Sequence, residues 1–178
     1  RGLVGSEMCI RDRVEDRYDG DLNQGISYHI DHGNGMDCYA VGPTLGGGTA
    51  ALFPDSTIVY PYCYKDCEVL DNGPLRFTTK LVYNPLVVKR DSNVIETRII
   101  SLDKGSQLNK TVVSFDNLQE TTPVVTGIVL HKQNPTGYSF DANAGYIAYA
   151  DSTENAANNN GVIYIGAVFP ANIKGALP

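Results

Sequence analysis

From Tyr39 onward the chain alternates short runs of β-branched and aromatic residues with Gly, Asn, Asp and Pro. No segment carries a 3.6-residue apolar period with a cap at each end, so nothing favours a helix over a strand. Runs at 49–53, 56–60, 67–70, 75–83, 94–102, 108–115, 124–131, 146–150 and 162–169 predict strands. Alternation is clearest in 75–83, where Leu75, Phe77, Thr79, Leu81 and Tyr83 share one face and Arg76, Thr78, Lys80 and Val82 the other. In 94–102, Glu96 and Arg98 stand on one side and Ile95, Thr97 and Ile99 on the opposite one. Asp71-Asn72-Gly73-Pro74 and Asp103-Lys104-Gly105-Ser106 have strong turn chemistry. Strands at this spacing, without crossover helices between them, must pair antiparallel, and the expected fold is an all-β antiparallel sandwich or barrel.

The rest of the pattern fits one domain. The polar, asparagine-rich stretch 151–160 is expected to be a surface loop joining two strands, and no internal repeat or domain boundary is visible within 14–178. With 178 residues, 42% of them hydrophobic, the chain can bury a sizeable core. Its formal charge of -6 and the absence of a Lys/Arg cluster argue against nucleic acid or an anionic membrane as partner. No apolar run is long enough to span a bilayer. The four cysteines are ambiguous: Cys63 and Cys67 could close a small disulfide loop in an exported protein or stay as thiols, and a cysteine-rich zinc site lacks a second pair at the right spacing.

Chemistry concentrates between residues 28 and 37. Tyr28, His29, Asp31, His32 and Asp37 crowd around Gly33 and Gly35, and the chain has one further histidine, His131. Imidazole is the side chain best suited to moving protons or holding a metal near neutral pH, and glycine lets backbone approach a ligand closely. Asp31 and Asp37 could orient an imidazole by accepting its second N–H, Tyr28 adds a phenol, and the same donors offer ligands to a divalent metal. A polar surface loop is the competing reading of these residues. His131 and Lys132 close an apolar run and are expected at a sheet rim, where loops carry function. Tyr60, Tyr62 and Tyr64 alternate and read either as an aromatic ridge for stacking on sugar rings or as an ordinary half-buried strand face. Arg76 and Arg98 could clamp a carboxylate, but mid-strand positions predict cross-strand acidic partners for both. No nucleophile elbow, P-loop or dinucleotide fingerprint occurs, and the Gly46–Gly48 run lacks the Lys-Ser/Thr that holds phosphate.

Several stretches together carry a family resemblance. Tyr28-His-x-Asp-His-Gly-x-Gly-x-Asp37, Tyr39-x-Val-Gly-Pro43, the glycine run with Thr49-Ala-Ala51, Leu70 to Arg76, Glu96 to Ser106, Leu108-Asn109 and Thr126 to Lys132 resemble an uncharacterised bacterial domain family encoded in polysaccharide-utilisation gene clusters, beside uronate-processing hydrolases and lyases. The resemblance runs from about Gly20 to Pro170. It implies a galactose-mutarotase-like or polysaccharide-lyase-like β-sandwich, export to the periplasm or cell surface, and an oligosaccharide or polysaccharide as partner. Tyr28, His29, Asp31, His32, Asp37, His131 and Lys132 occupy its motif positions.

The expected activity is proton abstraction and elimination on an acidic, uronate-containing oligosaccharide, as a lyase or dehydratase. A non-catalytic carbohydrate-binding or mutarotase-like module is the alternative. In the catalytic reading His29 or His32 is the base, Tyr28 the acid, Lys132 or a cation the neutraliser of the carboxylate, and Asp31 the residue that orients an imidazole. Residues 2–13 resemble a translated sequencing adapter, so 1–13 are expected to be a non-native leader and 14–178 an internal fragment of one carbohydrate-active domain.

Overall fold

The computed structural model describes residues 39–61, 63–151 and 161–169. They form ten strands: β1 (Gly47–Leu52), β2 (Tyr64–Asn72), β3 (Arg76–Tyr83), β4 (Leu86–Val88), β5 (Asp91–Asp103), β6 (Lys110–Asp116), β7 (Val124–Ile128), β8 (Tyr138–Asp141), β9 (Tyr146–Asp151) and β10 (Ile163–Val168). Among the described residues there is no α-helix, only a 3-10 turn at Pro54–Ser56. The chain divides into two compact units, one made of residues up to Thr49 and from Gly127 onward, the other of Ala50–Thr126. The division falls inside β1 and β7, which pair with each other. Hydrogen bonds from Phe53 N to Pro123 O and from Val129 N to Gly46 O show that these two run in opposite directions.

The Ala50–Thr126 unit is built on β5. Along one edge this 13-residue strand pairs with β3 (Arg76↔Asp103 through Val82↔Thr97) and then with β4 (Leu86↔Val94, Val88↔Asp91). β3 and β4 are thus successive segments of one hairpin arm, with β5 as the other arm, interrupted at Asn84-Pro85, where proline supplies no N–H to the ladder. β6 pairs with the other edge of β5, and β2 with the outer edge of β3. The Asp71 carboxylate accepts the Gly73 N–H at 3.1 Å, and Gly73 N donates to Arg76 O, so the expected turn closes the β2–β3 hairpin. At 103–106, Gly105 has φ 81 and Ser106 N donates to Asp103 O, as the second turn requires.

Leu86, Val88 and Val94 pack with Leu52, flanked by Val59, Phe115 and Leu118. Residues 50–52 therefore lie as a second layer on the inner face of the five-stranded sheet. The all-β, antiparallel, sandwich-type fold expected from strand spacing is the one found. In the other unit β9 is the middle of a three-stranded antiparallel sheet, between β8 and β10. The asparagine-rich stretch after Asp151 joins β9 to β10, which are paired strands.

Several expectations need correction. The run at 56–60 is not a strand: Asp55 and Ser56 sit at φ 49 and 62, and only Val59 bridges to Leu52. The Pro54-Asp-Ser turn consumes the residues that hydropathy assigned to a ladder. The run at 108–115 starts only at Lys110, because the Ser106 hydroxyl holds both the N–H and the carbonyl of Leu108. The run at 124–131 ends at Ile128. β4 and β8, of three and four residues, were not expected. The tyrosine ridge does not form on one strand: Tyr60 lies before β2, Tyr64 begins it, and Tyr62 lies outside the described residues.

Arg76 does meet a cross-strand acid, Asp103, through Nε and Nη2 at 2.5 and 2.9 Å. Arg98 instead pairs with Glu96, two residues earlier on its own strand. Cys63 and Cys67 are free thiols. Four residues of near-extended chain separate their Cα atoms by roughly 13 Å, beyond the ~7 Å limit for a disulfide.

Candidate functional site: a histidine held by a buried aspartate and two buried tyrosines

Tyr149 and Asp151 are two residues apart on β9, so both project from one face of its sheet, and both are buried. His131 reaches them from beyond the end of β7. Its backbone N–H donates to the Tyr149 hydroxyl at 3.0 Å, and its Nδ1 lies 2.6 Å from Asp151 Oδ2. Nε2 lies 2.7 Å from the carbonyl oxygen of Ala40. The Tyr149 hydroxyl is also 3.0 Å from Asn134 O and 3.1 Å from Asp151 Oδ1, so its single proton is shared between two acceptors. Asn134 completes the frame by donating its amide to Ala150 O at 2.5 Å.

The His131 ring stands between two aromatic rings. Tyr39 has its centroid 5.1 Å away, tilted by 55°, and Tyr149 lies edge-on at 6.5 Å. The Tyr39 hydroxyl donates to Val129 O at 2.6 Å. Burial is the main force raising the pKa of both phenols, and the Asp151 carboxylate adds to it. Both tyrosines are therefore neutral donors here, not proton carriers near neutral pH.

The protonation of the imidazole follows from its partners. A carbonyl oxygen only accepts, so Nε2 carries a hydrogen toward Ala40. At Nδ1 the imidazole and the carboxylate share one further proton: either an imidazolium faces a carboxylate or a neutral ring faces a carboxylic acid. Both ring nitrogens are thus engaged. A carboxylate-backed imidazole is the usual way to orient a base, but here the far nitrogen is capped by backbone. As it stands the pair holds a proton in place and ties Tyr39-Ala40 to β9.

Of the residues singled out from sequence, Tyr28, His29, Asp31, His32 and Asp37 lie outside the described residues. Of the two that are described, His131 stands in this cluster and its neighbour Lys132 is exposed. Sequence reasoning missed Asp151, Tyr149 and Asn134. Asp151 reads as the first residue of a polar loop, and the one usable signal was its period-two relation to Tyr149. Among the described residues no three His, Cys, Asp or Glu side chains converge as metal ligands. Nor is any helix there long and apolar enough to cross a membrane.

Comparison with known proteins adds a family. The family described as "Domain of unknown function (DUF4861)" matches residues 5–177. The chain belongs to the DUF4861 family. This DUF4861 chain is 30% identical over 125 residues to "Uncharacterized protein P7" of Formosa agariphila, an alignment covering 70% of the chain. The match spans 30% of that relative's own length. No solved structure matches the DUF4861 chain.

Proposed function

We propose that this chain is part of an exported bacterial carbohydrate-processing protein that acts on uronate-containing oligosaccharides by proton abstraction and elimination. The observation that supports this reading is the capture of His131 by Ala40 O and the Tyr39 ring. Tyr39 and Ala40 follow Asp37 by two and three residues, so the histidine-rich segment leads directly into the residues that grip the third histidine.

In the proposed reaction His29 or His32 removes the proton from the carbon that bears the carboxylate. The electron pair forms a carbon–carbon double bond as the neighbouring C–O bond breaks, and Tyr28 returns a proton to the departing oxygen. Lys132, exposed beside His131, neutralises the substrate carboxylate and so acidifies that proton. Asp31 orients the basic imidazole. His131 and Asp151 serve as positioning residues.

The product is an unsaturated uronate with new ultraviolet absorbance. The expected outcome is growth of that absorbance with wild-type protein and a fall of about 100-fold or more with His29→Ala or His32→Ala. Full turnover in both variants would overturn the assignment. The engagement of both His131 nitrogens favours a second reading, a non-catalytic sugar-binding or mutarotase-like module. That reading predicts sugar affinity with no new absorbance.

A further inference from the structure

The outer face of the Ala50–Thr126 sheet, opposite its apolar core, ends in a groove of about 410 Å³. Small-molecule sites typically occupy about 300–1,000 Å³. Its floor is aliphatic: Ile99 on β5 and Val112 on β6 are cross-strand partners, and Leu108 adds a wall. Around that floor stand the hydroxyls of Ser101 and Ser106, the Asn109 amide, and the cations Arg76 and Lys110.

The charges in this groove do not cancel. Asp103 is its one carboxylate, and Arg76 already holds both of that carboxylate's oxygens through Nε and Nη2. Arg76 holds the Asp103 pKa below the ordinary carboxylate range, so Asp103 stays ionised and paired. Lys110, the cross-strand partner of Ser101, has no carboxylate within ion-pair distance among the described residues. A groove with surplus positive charge on a chain of net charge -6 singles out an anion. The loop that shapes it is pre-formed, since the Ser106 hydroxyl both donates to Leu108 O and accepts from Leu108 N.

We propose that this groove is a binding subsite for a carboxylate-bearing saccharide. The sugar's C–H face rests on Ile99, Val112 and Leu108, its hydroxyls meet Ser101, Ser106 and Asn109, and its carboxylate meets Lys110. No aromatic ring lines the groove, so the contact is weaker than ring stacking, and a subsite suits an open groove through which a chain runs. The choice of an acidic sugar rests on the function proposed above, but the groove shares no residue with the histidine cluster and can fail or stand without it.

The test is calorimetric titration of the full chain with a saturated di-uronate and with its neutral methyl ester. Binding is expected to favour the acid and to weaken roughly tenfold in Lys110→Ala, since a charge-assisted hydrogen bond is lost. Lys110→Arg should restore it, and Val112→Glu should abolish it by placing a like charge on the floor. Equal affinity of wild type and Lys110→Ala, or no binding by wild type, overturns the subsite. Elimination activity without an effect of the groove variants on binding rejects the subsite and keeps the function. Lys110-dependent binding without elimination does the reverse.

Discussion

Asp151 is fully buried and spends both carboxylate oxygens on His131 and Tyr149. Removing one member of such a pair costs more than the contact is worth, because the other is left buried without its partner. His131→Ala is expected to lower unfolding free energy by about 3–5 kcal/mol, and Asp151→Asn by less, since the amide still accepts from Tyr149. In an Asp151→Asn background the His131→Ala cost should shrink, which urea unfolding of the four proteins would measure.

Glu96 presents a different balance. It is fully buried, one oxygen meets Arg98 Nε at 2.5 Å, and Oε2 has no hydrogen-bond partner among the described residues. Arg98 is held in turn by Ala50 O at 2.9 Å and by the Tyr83 ring, 5.0 Å from its guanidinium. Burial raises the Glu96 pKa above the ordinary 4.5 despite Arg98. The folded state then holds a proton that the unfolded state releases first, so this group's contribution is fully present below 4.5 and is lost as pH rises through the folded value. The stability of wild type relative to Glu96→Gln should therefore fall with rising pH over that window. A flat difference between the two unfolding curves would refute the shift.

At the scale of elements, legibility depended on length and on turn chemistry. β3 and β5 were readable because alternation persists over 8 and 13 residues. What alternation cannot say is which face goes inward, and here the face carrying Glu96 and Arg98 is the buried one. The reason is pairing along the strand, where acid and base two residues apart meet through Glu96 Oε1 and Arg98 Nε. β4 and β8 are too short to show a period, and β4 exists because β5 overruns the end of β3 and offers a free edge. The β8–β9 turn holds a sharper constraint. Asp141 Oδ1 accepts from Asn143 N and Ala144 N, and Gly145 sits at φ 71 with a Cβ position 2.6 Å from Phe169 O. Gly145→Ala must strain the backbone and push away an oxygen that Phe169 presents there. A loss of about 1–3 kcal/mol is expected, read as a lower midpoint in thermal or urea unfolding.

Across the whole molecule, the fold class followed from strand spacing, whereas the histidine cluster did not, because its partners are remote in sequence. Ala40 and His131 are 91 positions apart, and Asp151 is 20 beyond His131. The Ala50–Thr126 unit is continuous in sequence, and the other unit is split around it. During synthesis at about 5–20 residues per second, Ala40 therefore waits roughly 5–20 s for His131 to be made, and longer for Asp151. The central sheet, whose hairpins close between near neighbours, has that interval to form on the ribosome. His131 and then Asp151 are the last of these groups to be made, so a folding chain can form this sheet before it assembles the histidine cluster.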